Sequence, residues 1–244
     1  MISQFGRYLL LMVNVIRPPV KWSVFRSQTV SEIYNLGVLS MGIVAIISVF
    51  MGAVVAIQTA YNIDSPLIPL TMVGFTTRQS VILEFSPTII SLILAGKVGS
   101  RIASEIGSMR VTEQIDALEI MGINPSNYLI LPKITAAMLF NPVIIILSIV
   151  LALFGGWLVS YLTDLVTTVD YIAGIRIDFD AYSIFYALIK TVVFAFIITS
   201  VSGFMGFTVR GGALDVGANS TKAVVWSSIM IILFNLILTQ LLLS

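Results

Sequence analysis

Apolar residues run through this chain in long blocks, and polar residues gather in the gaps between them. Residues 33–63 carry no charge, and the run predicts a membrane-spanning helix over 36–60. Residues 65–96 are broken only by Arg78 and Glu84, and here the predicted span is 79–96. A third charge-free run covers 134–163. A fourth span is expected over 184–209 and a fifth over 223–244. Each is close to or above the roughly 20 apolar residues that cross hydrocarbon. The pattern predicts an all-α polytopic membrane protein with five transmembrane helices, read as one domain over 1–244. No stretch reads as a linker to a second domain, as low complexity or as an internal repeat.

The segment 1–30 behaves differently. Arg7 precedes "YLLLMVNVI", and Arg17-Pro18-Pro19 follows it. The apolar run is too short to span, and no small-x-small cleavage site follows, which argues against a signal peptide. It reads as a helix lying on the membrane surface, stopped by the prolines. No organellar transit pattern is visible. Orientation follows from the positive charges. Arg7, Arg17, Lys21 and Arg26 precede span one; Lys97, Arg101, Arg110 and Lys133 lie between spans two and three; Arg210 and Lys222 lie between four and five. Only Arg78, Arg176 and Lys190 fall on the other side. This predicts a cytoplasmic N-terminus and an outward C-terminus. The outer loop 164–180 is acidic, with room for a short helix.

Composition narrows the chemistry. Of 244 residues 58% are hydrophobic and 10% charged, against about 25% charged in soluble domains; the mean hydropathy is +1.04. A net charge of +1 with no broad basic field argues against nucleic acid as a partner. There is no Cys, hence no disulfide or thiolate chemistry, and no His, the commonest general base and metal ligand. No HExxH or GxSxG motif is present. No catalytic residue and no metal site are therefore expected.

Between spans two and three lies "SEIGSMRVTEQIDALEIMGINP", 104–125. Val111, Ile115 and Leu118 share one helical face, and Glu113, Asp116 and Glu119 the other. With Ser108 as N-cap, Gly122 at C′ and Asn124-Pro125 as a stop, the segment predicts one amphipathic helix over 105–122. Three acids and Arg110 keep it out of the bilayer. It is either a solvated loop helix or a docking helix, whose acids would suit a basic cleft on a cytosolic partner. Within the spans, Glu84 is an intramembrane acid, a functional candidate by default. Pro87 frees the Leu83 carbonyl and kinks the helix, and Ser86 and Gln79 add polarity nearby. Lys190, read as opening span four, is placed to snorkel outward. Glu84 and Lys190 either line or brace a polar part of a transport path, or form a structural ion pair. Gly42, Gly52, Gly155, Gly156, Gly203 and Gly206 allow close helix contact. Pro142 reads as a second kink, and Trp157 and Trp226 as packing or interfacial residues.

The stretch "AGKVGSRIASEIGSMRVTEQIDALEIMGINP", 95–125, resembles the signature of the MlaE family of ABC-transporter permeases, E-[IL]-G-x-M-R-x-T-E-Q-x-D-A-L-E, here 105–119. "YNLGVLSM", "EFSPTIISLILAG" and "LIKTVVFAF" extend the similarity from about residue 30 to the C-terminus. Family members often carry Arg before the intramembrane Glu, where this chain has Leu83. The resemblance implies a transport subunit, not an enzyme, that moves phospholipid or a related lipid. It implies a homodimer, two cytosolic ABC ATPase subunits and a periplasmic MCE-domain lipid-binding protein, set in a bacterial inner membrane. Coupling to the ATPase then falls to Glu105, Arg110, Thr112, Glu113, Gln114, Asp116 and Glu119 in a helix that docks into the ATPase. No phosphate loop is present: in "AGKVGS" the lysine stands, but Ser91 occupies the first glycine position. ATP and Mg are accordingly expected on the partner and no cofactor on this chain. An ion-coupled secondary transporter using Glu84, and a membrane scaffold that only anchors an ATPase, are the alternatives.

Overall fold

A computed structural model describes residues 2–18, 21–63, 68–163 and 165–243. Among the described residues the ordered elements are all helical, with no strand. The physical reason is that hydrocarbon offers backbone groups no hydrogen-bond partner, and a helix satisfies them internally. The elements are α1 (Ile2–Val15), α2 (Trp22–Glu32), a π-helical turn Ile33–Val38, α3 (Leu39–Asn62), α4 (Thr71–Ser80), a π-helical turn Val81–Ile89, α5 (Ile90–Leu94), a π-helical turn Ala95–Gly99, α6 (Ser100–Val111), α7 (Gln114–Ile120), α8 (Pro125–Leu162), α9 (Thr168–Arg176), α10 (Ala181–Phe207) and α11 (Ala213–Leu243).

Among the described residues five helical stretches are long and apolar enough to cross a membrane: Trp22–Asn62, Thr71–Val111, Pro125–Leu162, Ala181–Phe207 and Ala213–Leu243. The five predicted spans lie largely within these stretches, but the helices are longer. The first two run 41 residues each, about 60 Å at 1.5 Å per residue, or twice the hydrocarbon thickness. Charge-free windows mark what lipid can surround; the helix itself continues through Arg26 and Glu32 in one case and Arg101 and Arg110 in the other. α1 ends at Val15, before Arg17-Pro18, as the proline signal predicts; Pro19, Asp164 and Ser244 lie outside the described residues. The outer loop carries α9, whose N-cap Thr167 accepts a hydrogen bond from the Asp170 amide at 3.1 Å.

Packing divides the chain into two compact units. The first comprises Met1–Ser40, Ser91–Asn141 and Val192–Ser244. Here α1 is held by side chains at its middle and at its C-terminal end. Tyr8 hydrogen-bonds Ser200 at 2.9 Å and meets Phe204 edge-on. The last carbonyls of α1, orphaned by helix geometry, accept from two amides: Asn124 Nδ2 donates to Asn14 O at 3.1 Å and Asn127 Nδ2 to Val15 O at 2.8 Å. Gly203 lies against Ile130, and Gly206 against the backbone of Ala103. Lys133, nearly buried, pairs with Glu32 at 2.6 Å and Glu105 at 2.9 Å, tying α2, α6 and α8 together.

The second unit comprises Met41–Ile90 and Pro142–Thr191. α4 packs on α9 at Gly74 and Gly174, where a Cβ on Gly174 would stand 2.0 Å from Thr71 O. A Cβ on Gly52 would stand 1.8 Å from Ala152 O, and one on Gly155 2.0 Å from Val49 O. These glycines serve contact within the chain; a Cβ on Gly42 would meet no atom within 4 Å. Buried Tyr171 joins Ala56, Val73 and Val166 in the core. Arg78 is also buried, with Nη1 donating to the Ile175 and Ile177 carbonyls at 2.7 Å and Nη2 to the Asp178 carbonyl at 3.1 Å.

Candidate functional site

Two constellations carry the polar residues singled out in the sequence, one in each unit. In the second unit, Pro87 lacks an N–H and so cannot bond the Leu83 carbonyl. The surrounding turn Val81–Ile89 opens into π-helical geometry. That carbonyl accepts instead from Lys190 Nζ at 3.2 Å. Lys190 does not open the fourth span, and it does not snorkel. It lies well inside α10, with a side chain 0% exposed. Its Nζ reaches Glu84 Oε1 at 3.0 Å and Tyr186 Oη at 2.7 Å. Thr88 Oγ1 donates to the other carboxylate oxygen at 3.2 Å. Glu84 and Lys190 are thus an ion pair, with the lysine side chain fully buried and the glutamate side chain 41% exposed. Ser86 belongs to a separate chain of hydroxyls, 3.1 Å from Ser148, which is 2.9 Å from Ser48. Tyr186 was absent from the sequence-derived site, although its spacing four residues before Lys190 was available to find it.

The second constellation is the segment after span two, in the first unit. The single helix predicted over 105–122 is instead two. α6 continues the second spanning stretch to Val111, so Ser108 sits inside a helix and caps nothing; its carbonyl accepts from Thr112 Oγ1 at 2.9 Å. The chain turns at Glu113, which holds a left-handed φ of 59°, and α7 begins at Gln114. Arg110 spans the corner to Asp116 at 2.6 Å. α7 closes as expected at Gly122 (φ 74°). The Gly122 amide bonds Glu119 O at 2.9 Å and the Ile123 amide bonds Leu118 O at 3.0 Å, the double bond of a Schellman stop. Pro125 then supplies the first turn of α8.

The seven residues proposed from the resemblance therefore separate. Glu105, Arg110 and Asp116 are engaged within the chain, with Lys133 and with each other. Thr112, Glu113, Gln114 and Glu119 are exposed. Ile115 is buried and fastens α7 to the body, while Ile120, 88% exposed, and Met121 project outward. Lys133 and Glu32 were missed because nothing local to them signals the partnership across the fold. Among the described residues no group of three or more His, Cys, Asp or Glu is placed to hold a metal ion.

Comparison with known proteins addresses the family. The family model described as Permease MlaE matches residues 29–241. A probable ABC transporter permease protein of Rickettsia bellii is 33% identical over 98% of this chain and 91% of its own length. One of Synechocystis is 33% identical over 88% of this chain and 82% of its own length. A chloroplastic protein of Arabidopsis thaliana named trigalactosyldiacylglycerol 1 is 29% identical over 94% of this chain and 64% of its own length. With a match this long, spread across every spanning helix, the chain belongs to the MlaE family of permeases.

Proposed function

We propose that this chain is the membrane subunit of an ATP-driven transporter that moves phospholipid, or a related hydrophobic lipid, between membranes. One observation supports the coupling role above others: the corner after α6 presents Glu113, Gln114 and Glu119 beside the bare side chains of Ile120 and Met121. Acids around exposed apolar side chains suit a cleft with basic walls and an apolar floor. Arg110–Asp116 spans the corner on one side and the Gly122 stop closes α7 on the other. The partner there is a cytosolic ABC ATPase subunit, which binds ATP and Mg; this chain carries no cofactor. Two copies of the permease pair with two ATPase subunits, and an MCE-domain protein receives or delivers lipid on the periplasmic side. The complex sits in a bacterial inner membrane, with the N-terminus of this chain and α7 cytoplasmic, the C-terminus periplasmic, and α1 lying at the membrane surface. Lipid as cargo draws support from the apolar walls of the spans and from a relative that bears the name of a diacylglycerol lipid.

The test is gentle purification of the tagged chain, with mass spectrometry of co-purifying proteins and lipids, for wild type beside Glu113→Lys. Lys tolerates the left-handed corner about as poorly as Glu, so the variant changes charge more than shape. Loss of the ATPase alone in the variant is the expected result. Absence of an ATPase from wild type, even with nucleotide and cross-linker, sinks the proposal. Transport that survives ATP depletion would favour ion coupling through Glu84 instead, and ATP hydrolysis without lipid movement in vesicles would favour a scaffold.

A further inference from the structure

A cleft of about 430 Å³ opens in the first unit between α1, the end of α10 and the start of α11. Arg7, Arg210 and Lys222 line it, and no carboxylate does among the described residues. Among the described residues none of the three forms an ion pair; Lys222 Nζ has only a long contact to Asn219 Oδ1 at 3.5 Å. Asn219 lines the same cleft, and so do the buried ring of Phe204 and the exposed ring of Trp226. Three cations in one concavity repel each other unless an anion joins them. The aromatic walls belong to two helices long and apolar enough to span a membrane, and Trp is typical of the membrane–water boundary. Basic pockets between spanning helices at that boundary are suited to anionic lipid heads.

We propose that this cleft binds a phosphate-bearing anion, with the headgroup of an anionic phospholipid as its occupant. Guanidinium groups at Arg7 and Arg210 offer the forked donors that phosphate oxygens accept. Phe204 and Trp226 face the glycerol and first methylenes. Arg7 comes from α1, so a bound lipid bridges α1 to α10 and α11 beside the Tyr8–Ser200 hydrogen bond. The site goes beyond the transport reading, since it concerns a lipid held against α1 and not the coupling to an ATPase.

The experiment uses the purified full chain in zwitterionic detergent, with native mass spectrometry counting retained phosphatidylglycerol against retained phosphatidylcholine. Wild type should keep one phosphatidylglycerol in preference. Arg210→Gln and Lys222→Gln should each weaken that retention about fivefold. Arg26→Gln, an exposed cation away from the cleft, should leave it unchanged. Inorganic phosphate at millimolar concentration separates the sources: displacement assigns the site to soluble phosphate compounds, persistence to the lipid headgroup, and either supports a phosphate site. Equal retention of both lipids, or a loss with Arg26→Gln as large as with Arg210→Gln, overturns it. None of these outcomes depends on ATPase binding, so failure here leaves the coupling test untouched.

Discussion

An ammonium with no exposure inside a spanning helix makes a specific demand on its neighbours. Lys190 meets it with Glu84, Tyr186 and the carbonyl that Pro87 releases. Removing the acid takes away the counter-ion of a buried ammonium, so Glu84→Ala should lower stability by about 3 kcal/mol. Adding Lys190→Met should restore most of it, since breaking a pair is worse than removing it. Thermal unfolding in detergent reads both, and recovery in the double variant is the discriminating result. This changes how the site is tested for transport. With Lys190 buried, Glu84→Gln, which keeps an acceptor, is a cleaner probe than Glu84→Ala. Both residues stood out as charges in apolar runs. Their pairing was one of two readings and the sequence could not choose it, because it joins helices about a hundred residues apart, and no local pattern encodes that.

At the scale of elements, what was legible depended on whether the signal was local. The end of α7 was readable from Gly122 and Asn124-Pro125, because a C-terminal stop is a property of adjacent residues. The corner at Glu113 was not, because no Gly, Asn or Pro marks it. Gly122→Ala should cost about 1 kcal/mol at φ 74°, visible as faster amide exchange over α7. α9 depends on a residue that composition suggested only as an outer charge. Arg78 gathers three carbonyls at its C-terminal end and is flanked by the Phe75 and Phe179 rings. Arg78→Lys offers one point charge where a fork is needed. It should weaken α9 by about 2 kcal/mol, or roughly thirtyfold in exchange protection.

Taken as a whole molecule, the five spanning stretches differ in how much protein covers them. The most apolar part of α10 is 56% buried, while that of α11 is 11% buried. Leu236 is largely exposed and Ser227 fully buried on the same helix. The chain has no Cys, so Leu236→Cys and Ser227→Cys each carry one nitroxide. In bilayers the first should collide freely with oxygen and the second should not; protection at Leu236 would mark α11 as a contact between copies. The number of spans was readable from hydropathy because lipid imposes it, whereas the division into packed units was not, since it arises from contacts between distant segments. One such distant contact also bears on synthesis. The amide that caps α1 at Asn14 belongs to Asn124, 110 residues later in the chain. At 5–20 residues per second a ribosome needs about 5–20 s to cover that interval. Until Asn124 is made its amide cannot answer the Asn14 carbonyl, so α1 waits for that cap, and any factor that shields nascent apolar segments has the part of the window after α1 leaves the ribosome in which to act.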